Sequence, residues 1–361
     1  MQQAENLSCV SVMFIRSVLM LLTVAMAGCG ALRARAPSTA PSAFAVHAIA
    51  LPDAPPEGVF TDYLAYDRAH HRVWVPAGNT GSVDVVDVSS GTVAKISGFP
   101  TTEVERHGTK RTAGPSSVTV GGTVVYIGNR GDSSVCAVDR TSLRLGACVK
   151  LASPPDGLAY VASTREVWVT SPRDHSIVIL DAAKPGALSR EGSIDLDGQP
   201  EGFVVDDARG VFYTNLEDRD RTLPIDIRSR RIDSAWLPEC GEGGPKGLAL
   251  DRDRDILFVA CAHGVRALDV GHDGARLSTI DAGDGIDNID YVESRHELYV
   301  AAARSATLTI ARLDEHGRLT PIASVSTAHG ARNAVATEHG TAYLTDSAAG
   351  KILVVAPVAS P

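Results

Sequence analysis

Residues 125–129 (VYIGN) and 211–215 (VFYTN) share one pattern, in which a short apolar strand carries an aromatic residue. The pattern recurs seven times in the 361-residue chain, at spacings of 52, 42, 44, 46, 41 and 44 residues. A period of about 40–45 residues is typical of the four-stranded blades of a β-propeller. We therefore predict an all-β fold, a seven-bladed β-propeller of four-stranded antiparallel blades. The seven aromatic positions are Trp74, Tyr126, Trp168, Phe212, Phe258, Tyr299 and Tyr343.

Two further features repeat in phase with the aromatic residues. Each unit opens its first strand on a polar residue, and six units end the third strand at or next to an aspartate. An aspartate that opens a turn accepts hydrogen bonds from backbone N–H groups two residues on, so we assign these aspartates a structural role. The strand-opening residues are Asp62, Ser116, Asp156, Glu201, Lys246, Asp287 and Arg332. The aspartates are Asp87, Asp139, Asp181, Asp226, Asp269 and, one place later in its unit, Asp314.

These repeats resemble the YVTN-repeat (YncE-like) β-propellers over about residues 57–356. The two segments quoted above match the strand that gives that family its name, and residues 287–291 (DNIDY) and 298–300 (LYV) fit it as well. The resemblance implies the propeller fold. It implies little about activity, because propellers host many unrelated functions.

The seventh unit supplies only three strands, near residues 332–337, 341–345 and 351–356. Residues 44–51 (FAVHAIAL) alternate like a strand and precede the first unit. We predict that they form the outer strand of the seventh blade, because this pairing closes the ring and removes an open sheet edge. The propeller domain is then residues 44–361.

The N-terminal residues have the features of a targeting segment. Residues 18–26 are apolar, follow Arg16 and are too few to span a bilayer. They lead into Ala27-Gly28-Cys29, which resembles a bacterial lipobox, so we predict a signal peptide at 1–28, a lipidated Cys29 and a flexible linker at 29–43. Ordinary signal cleavage after Ala27 is the alternative. The expected location is the cell envelope, at the periplasmic face of a Gram-negative outer membrane, with the Cys29 lipid as the only membrane contact.

Four cysteines fall in the body of the chain, and an exported protein permits them to form disulfides. Cys136 and Cys148 flank a turn near residues 139–142 and oppose each other in a hairpin centred there, so we expect them to be bonded or adjacent. Cys240 and Cys261 fall on one face by propeller topology. We predict a bond between them, with two free thiols as the alternative.

The candidate binding site is the mouth of the central channel that the strand-opening residues surround. Residues 101–114 form a long entry into blade two and bring further basic residues to this face. The alternatives are that the opening residues only cap loops and pair with one another, and that the long segment is a solvated loop. The candidate ligand-binding residues are Asp62, His107, Arg111, Asp156, Glu201, Lys246, Asp287, Asn288, Arg332 and Asn333.

The leading functional hypothesis is a propeller without cofactor that binds an envelope protein or a small molecule at this mouth. A net charge of −9 argues against a nucleic-acid partner. Residues 200–202 (PEG) resemble the opening of the gluconolactonase-like (SMP-30) propellers, which implies a metal-dependent lactonase or hydrolase as the alternative. Calcium or another divalent cation would then take oxygen ligands from the acids and amides of the mouth. The basic residues of the ring and the seventh blade depart from that family.

Overall fold

Our computed structural model describes residues 43–106 and 108–358, with only the backbone of Arg106. The predicted signal peptide at 1–28, the lipidation site Cys29, linker residues 29–42 and the candidate His107 lie outside the described residues. Within them, seven antiparallel sheets of three or four strands follow one another along the chain as blades, which confirms the predicted seven-bladed propeller, and an eighth sheet is a two-stranded hairpin. No helix of the described part is long and apolar enough to cross a membrane.

The first three blades each contain four strands, counted from the central channel outward. In blade one they are Ala65–Asp67, Arg72–Ala77, Ser82–Asp87 and Val93–Ser97. In blade two they are Pro115–Val120, Val124–Asn129, Ser134–Asp139 and Leu145–Lys150. In blade three they are Leu158–Val161, Glu166–Ser171, Ser176–Lys184 and Ala187–Asp195.

Blades five and six repeat this plan, and short 3-10 helices occupy several of the turns. Blade five contains Pro245–Asp251, Ile256–Cys261, Gly264–Asp269 and Ala275–Asp281. Blade six contains Ile286–Val292, Glu297–Ala302, Thr307–Leu313 and Leu319–Ser326. The 3-10 helices found in the described residues are Gly78–Thr80, Pro172–Asp174, Val270–His272, Glu293–Arg295 and Ser347–Ala349.

Blade four departs from the regular plan at its outer edge. Its sheet contains three strands, Pro200–Asp206, Val211–Leu216 and Arg221–Asp226. In the fourth position lies an irregular segment that makes only isolated bridges, from Trp236 to Thr222 and from Ile232 to Ile225. This segment covers the sheet edge, since Trp236 and Thr222 exchange backbone hydrogen bonds of 2.8 and 3.1 Å. The edge is therefore not free to pair with another chain.

Blade seven is closed by the N-terminal strand, as predicted. Its three C-terminal strands are Arg332–Ala336, Ala342–Asp346 and Lys351–Pro357. The strand Phe44–Ala50 pairs antiparallel with Lys351–Pro357 in an unbroken register. This arrangement joins the two ends of the chain in one sheet.

The core lies between neighbouring blades, and the repeated aromatic residues fill it. All seven are buried, and the two tryptophans, Trp74 and Trp168, have no exposed surface. Full burial of a large apolar side chain contributes about 1.5–3 kcal/mol, so the repeat that reveals the fold also stabilises it.

The repeated aspartates cap turns, which confirms their predicted structural role. The Asp87 carboxylate, for example, accepts the backbone N–H groups of Ser89 and Ser90 at 3.1 and 2.8 Å. The other five each accept at least one nearby backbone N–H group: Asp139, Asp181, Asp226, Asp269 and Asp314.

Two disulfides staple the described chain. Cys136 and Cys148 face each other across the third and fourth strands of blade two and are bonded. Cys240 and Cys261 are bonded as well, with Cα atoms 5.2 Å apart. The second bond ties the loop between blades four and five to the end of the second strand of blade five.

The entry into blade two, expected as a loop, is a β-hairpin. Its strands are Thr102–Arg106 and Thr109–Ala113. Exposed Arg111 lies over the ring of Phe60, 5.5 Å from its centroid. A guanidinium at this distance makes a cation–π contact, which holds Arg111 beside Phe60, two residues before Asp62.

Candidate binding site at the channel mouth

The first strands of the blades approach one another closely around the channel, and glycines permit this. Gly202 and Gly247 follow the opening residues of blades four and five. A Cβ atom at Gly202 would lie 2.2 Å from the carbonyl oxygen of Lys246, and one at Gly247 would lie 2.7 Å from the Cα atom of Asn288. Neither separation is sterically possible. These glycines therefore bring the opening residues of three consecutive blades together.

Arg130 joins two of the opening carboxylates. It follows the second strand of blade two, and its Nη2 atom donates to Asp62 at 2.9 Å and to Asp156. Its Nε atom donates to the carbonyl of Pro155 at 3.3 Å. One guanidinium thus links blades one, two and three at the mouth.

Arg332 makes the corresponding link on the other side of Asp62. Its Nη1 atom donates to Asp287 at 2.6 Å, and its Nη2 atom lies 3.9 Å from the Asp62 carboxylate. Asn333 donates its Nδ2 to the carbonyl and the carboxylate of Asp62, at 3.1 Å each, and accepts the backbone N–H of Asn288 at 3.2 Å. Blades six, seven and one are therefore connected by polar side chains.

Tyr63 closes the centre of the ring. Its side chain is 8% exposed, and its ring stacks on Phe203 of blade four with centroids 5.7 Å apart. Its hydroxyl lies 3.2 Å from a carboxylate oxygen of Asp156 and 3.3 Å from one of Glu201. Because a hydroxyl carries one proton, Tyr63 donates fully to only one of the two carboxylates at a time.

Lys246 is neutralised by a partner outside the ring of opening residues. Its ammonium contacts the Glu217 carboxylate, which follows the second strand of blade four. The carbonyl of Lys246 accepts the Asn215 side chain at 2.6 Å. The remaining opening residue, Ser116, is buried, and its carbonyl accepts the backbone N–H of Tyr63 at 3.0 Å.

Burial in a group of like charges raises the pKa of several mouth acids. Burial contributes most to the raised pKa of Glu201, and the negative charges of Asp156 and Asp287 add to it. Burial also raises the pKa of Asp156, against the opposing effect of Arg130. Burial raises the pKa of Asp287 to about 6, although the positive charge of Arg332 opposes this rise. Tyr63 stays protonated, because burial and the neighbouring carboxylates raise its pKa well above 10.0.

The structure thus brings eight of the ten candidate ligand-binding residues into one region of the channel. Arg111 lies on the hairpin against Phe60, and His107 is not described. Tyr63, Arg130 and Glu217 were missed by the sequence reasoning. The turns between second and third strands emerge on the same face as the opening residues, so the positions of Arg130 and Glu217 carried a topological signal.

The candidate cation ligands of the lactonase hypothesis are held by other partners in this arrangement. Asp62 contacts Arg130 and Arg332, and Asp287 contacts Arg332. Within residues 43–106 and 108–358, no group of three or more histidine, cysteine, aspartate or glutamate side chains is placed to hold a metal ion.

Seven sheets around a channel whose mouth carries charges of both signs define the class, a seven-bladed β-propeller. No protein-family profile matches the chain. Solved structures share the fold at low identity. Streptogramin B lyase is 12% identical with a TM-score of 0.66, over 86% of this chain and 97% of that one. The WD40 repeats of RRP9 are 10% identical with a TM-score of 0.66, over 86% and 97%. These identities establish the fold alone.

One curated relative is similar in sequence over part of its length. A 6-phosphogluconolactonase from Erwinia tasmaniensis is 25% identical over 164 residues, which cover 43% of this chain. The match spans 48% of that relative, about half of its length.

Proposed function

We propose that the protein is a cell-envelope lipoprotein whose propeller binds a positively charged group at the channel mouth. The ligand is a small organic amine or the basic side chain of an envelope protein, and no cofactor takes part. The Cys29 lipid anchors the chain, and the two disulfides fit an oxidising compartment. The repeats support membership of the YVTN-repeat (YncE-like) group.

The observation that carries this proposal is the imbalance of charge at the mouth. Its five carboxylates outnumber its three basic side chains, and each basic group already contacts a carboxylate. Among the described residues, no lysine, arginine or histidine lies within ion-pair distance of Glu201. The carboxylates are Asp62, Asp156, Glu201, Glu217 and Asp287, and the basic side chains are Arg130, Lys246 and Arg332.

A cationic ligand next to Glu201 would offset the repulsion that raises the pKa of this carboxyl group. Binding would therefore favour the ionised form and release a proton. The apparent affinity should rise with pH through the titration range of Glu201, and the number of protons released should depend on pH. An uncharged ligand of the same shape would gain none of this interaction.

The test compares putrescine with 1,4-butanediol, its uncharged counterpart, by isothermal titration calorimetry. Putrescine should bind and butanediol should not, and Glu201→Gln should weaken putrescine binding by about tenfold or more, equivalent to about 1.4 kcal/mol. Glu315→Gln, which changes a carboxylate that is 84% exposed, is the matched control. Equal binding of the two compounds, or unchanged binding in Glu201→Gln, would overturn the proposal.

A lactone hydrolase is the second candidate, because the curated 6-phosphogluconolactonase matches part of the chain and the mouth contains two dissimilar acids. Arg130 opposes the rise in the pKa of Asp156, whereas no basic side chain among the described residues lies within ion-pair distance of Glu201, whose pKa is also raised. Two carboxyl groups whose environments push their pKa values apart are suited to general acid–base catalysis. Turnover in a lactone panel, run with metal analysis of the purified protein, would support this candidate, including its metal-dependent form.

A further inference from the structure

The central channel contains a cavity below the charged mouth. The cavity has a volume of about 160 Å³. Tyr63 borders both the cavity and the mouth, since it lines the cavity while its hydroxyl contacts Asp156 and Glu201. A cavity of about 150 Å³ with apolar walls accepts a molecule the size of benzene. The volume therefore suits one small ring.

The walls of the cavity combine apolar and polar surface, with the polar part slightly larger, and come mostly from the first strands of several blades. Phe203 contributes its ring from blade four, Leu248 comes from blade five and Ile289 comes from blade six. The stacked rings of Tyr63 and Phe203 lie at 25° to each other and form one side. A flat apolar ring would gain dispersion contacts and lose water-exposed surface against these walls.

Three polar side chains in the lining, Asn288, Asp290 and Asn333, distinguish this cavity from a simple packing defect. Asn288 lines it, and the Asn288 Nδ2 atom is buried without a hydrogen-bond acceptor among the described residues. Buried donors in folded proteins nearly always have a partner, so this amide requires one. Asp290 also lines the cavity, and its carboxylate accepts the backbone N–H groups of Tyr291 and Ala336 at 2.9 and 2.7 Å. A carboxylate has lone pairs beyond these two and can accept a further donor.

We propose that this cavity is a second binding site, which takes a small ring compound bearing a hydroxyl group, such as a phenol. The ring packs against Phe203, Leu248 and Ile289. The hydroxyl oxygen accepts a hydrogen bond from the Asn288 Nδ2 atom. The site adjoins the mouth and shares Tyr63, Asn288 and Asn333 with it, but binding of a ring compound here does not depend on the cation-binding function proposed there.

The test uses phenol and toluene, which match in shape and differ in the hydroxyl group. Ligand-observed NMR with the purified protein should show phenol in fast exchange, with an affinity at least about tenfold above that of toluene. Asn288→Leu should reduce phenol affinity to that of toluene and leave toluene binding unchanged. Failure of phenol to bind, or binding of phenol that Asn288→Leu does not change, would overturn the proposal.

A cavity-filling variant and its volume-matched control test whether phenol binds in this cavity. Leu248→Phe should abolish phenol binding because the larger ring occupies the space, whereas Leu248→Met, of similar volume, should retain it. Far-UV circular dichroism and thermal melts establish that both variants fold. Putrescine binding measured on the same Leu248→Phe sample reports on the mouth alone, so the two sites succeed or fail separately. Phenol binding that survives Leu248→Phe in a folded sample would place the ligand elsewhere and contradict the proposal.

Discussion

Asn333 of blade seven donates its amide to both the carbonyl and the carboxylate of Asp62 in blade one, at 3.1 Å each. The side chain is 1% exposed, and its backbone has a φ of 57°, in the left-handed region. Asparagine adopts this region more readily than most residues. One residue therefore ties the last blade to the first across the point where the ring closes.

Asn333→Ala should destabilise the fold by about 3 kcal/mol, because it removes bonds to a buried carboxylate and strains the left-handed backbone. Asn333→Gly removes the same bonds but tolerates this φ, so it should be less destabilising than alanine by about 1 kcal/mol. Thermal or urea unfolding followed by circular dichroism would measure both. Parent-like stability of the alanine variant would show that the contact across the closure contributes little.

Removal of residues 44–51 should cause aggregation. The deletion exposes the strand Lys351–Pro357, whose paired edge would then be free to bind another chain. Size-exclusion chromatography with light scattering would detect it, with a chain that begins at Ala43 as the soluble control. A monomeric deletion variant as stable as this control would contradict the role of the strand.

Loss of the Cys240–Cys261 disulfide should lower stability by about 3 kcal/mol in the chain-entropy model. The double variant Cys240→Ser, Cys261→Ser tests this without leaving an odd thiol. Its blades should stay folded, because Asp220 still accepts the backbone N–H groups of residues 240 and 241 at 3.0 Å. Thermal melts of the variant and of the oxidised parent would measure the effect, and identical melting temperatures would refute it.

Glu201→Gln should make the folded protein more stable at pH 8. The pKa of Glu201 is raised by burial and by neighbouring acids, so its ionisation costs more in the folded chain than in the unfolded chain. Stability is therefore lost as pH rises above the ordinary glutamate pKa, and glutamine removes this loss. The difference should vanish near about pH 4, where both states of the parent carry the proton. Melting temperatures across this pH range, with Glu315→Gln as control, would show whether the gain is specific to the mouth.

Cys29→Ser should release the protein from membranes if Cys29 carries the lipid. Fractionation of cells that express the parent or the variant would measure the membrane-bound share. Continued membrane association of the variant would refute the predicted anchor.

The fold was predictable because each blade repeats the same local requirements. An aromatic residue fills the space between blades and an aspartate opens the turn after the third strand, so the signals recur in phase. The outer edge of blade four does not follow this repeat. Its third strand ends at Asp226 as expected, but the segment that covers its edge pairs through isolated bridges at Trp236 and Ile232, which have no periodic pattern.

The position of the candidate site was predictable, but the ion pairs between its side chains were not. Spacing placed Asp62, Asp156 and Asp287 on one rim, because each opens a first strand. It could not show that Arg130 reaches from blade two to carboxylates of blades one and three, since such contacts depend on the length and rotamer of one long side chain. The sequence of residues 101–114 predicts a loop and not the observed hairpin, because the two strands are polar and have no apolar face.

The pairing of Phe44–Ala50 with Lys351–Pro357 has a consequence for the order in which the molecule is assembled. The ribosome makes Phe44–Ala50 about 300 residues before Lys351–Pro357, so the first strand has no partner until residues 351–357 are made. Six blades can form from neighbouring segments, whereas the seventh needs both ends of the chain. Ring closure therefore requires residues 351–357, and a chain cut short before residue 351 leaves its first strand without this pairing partner.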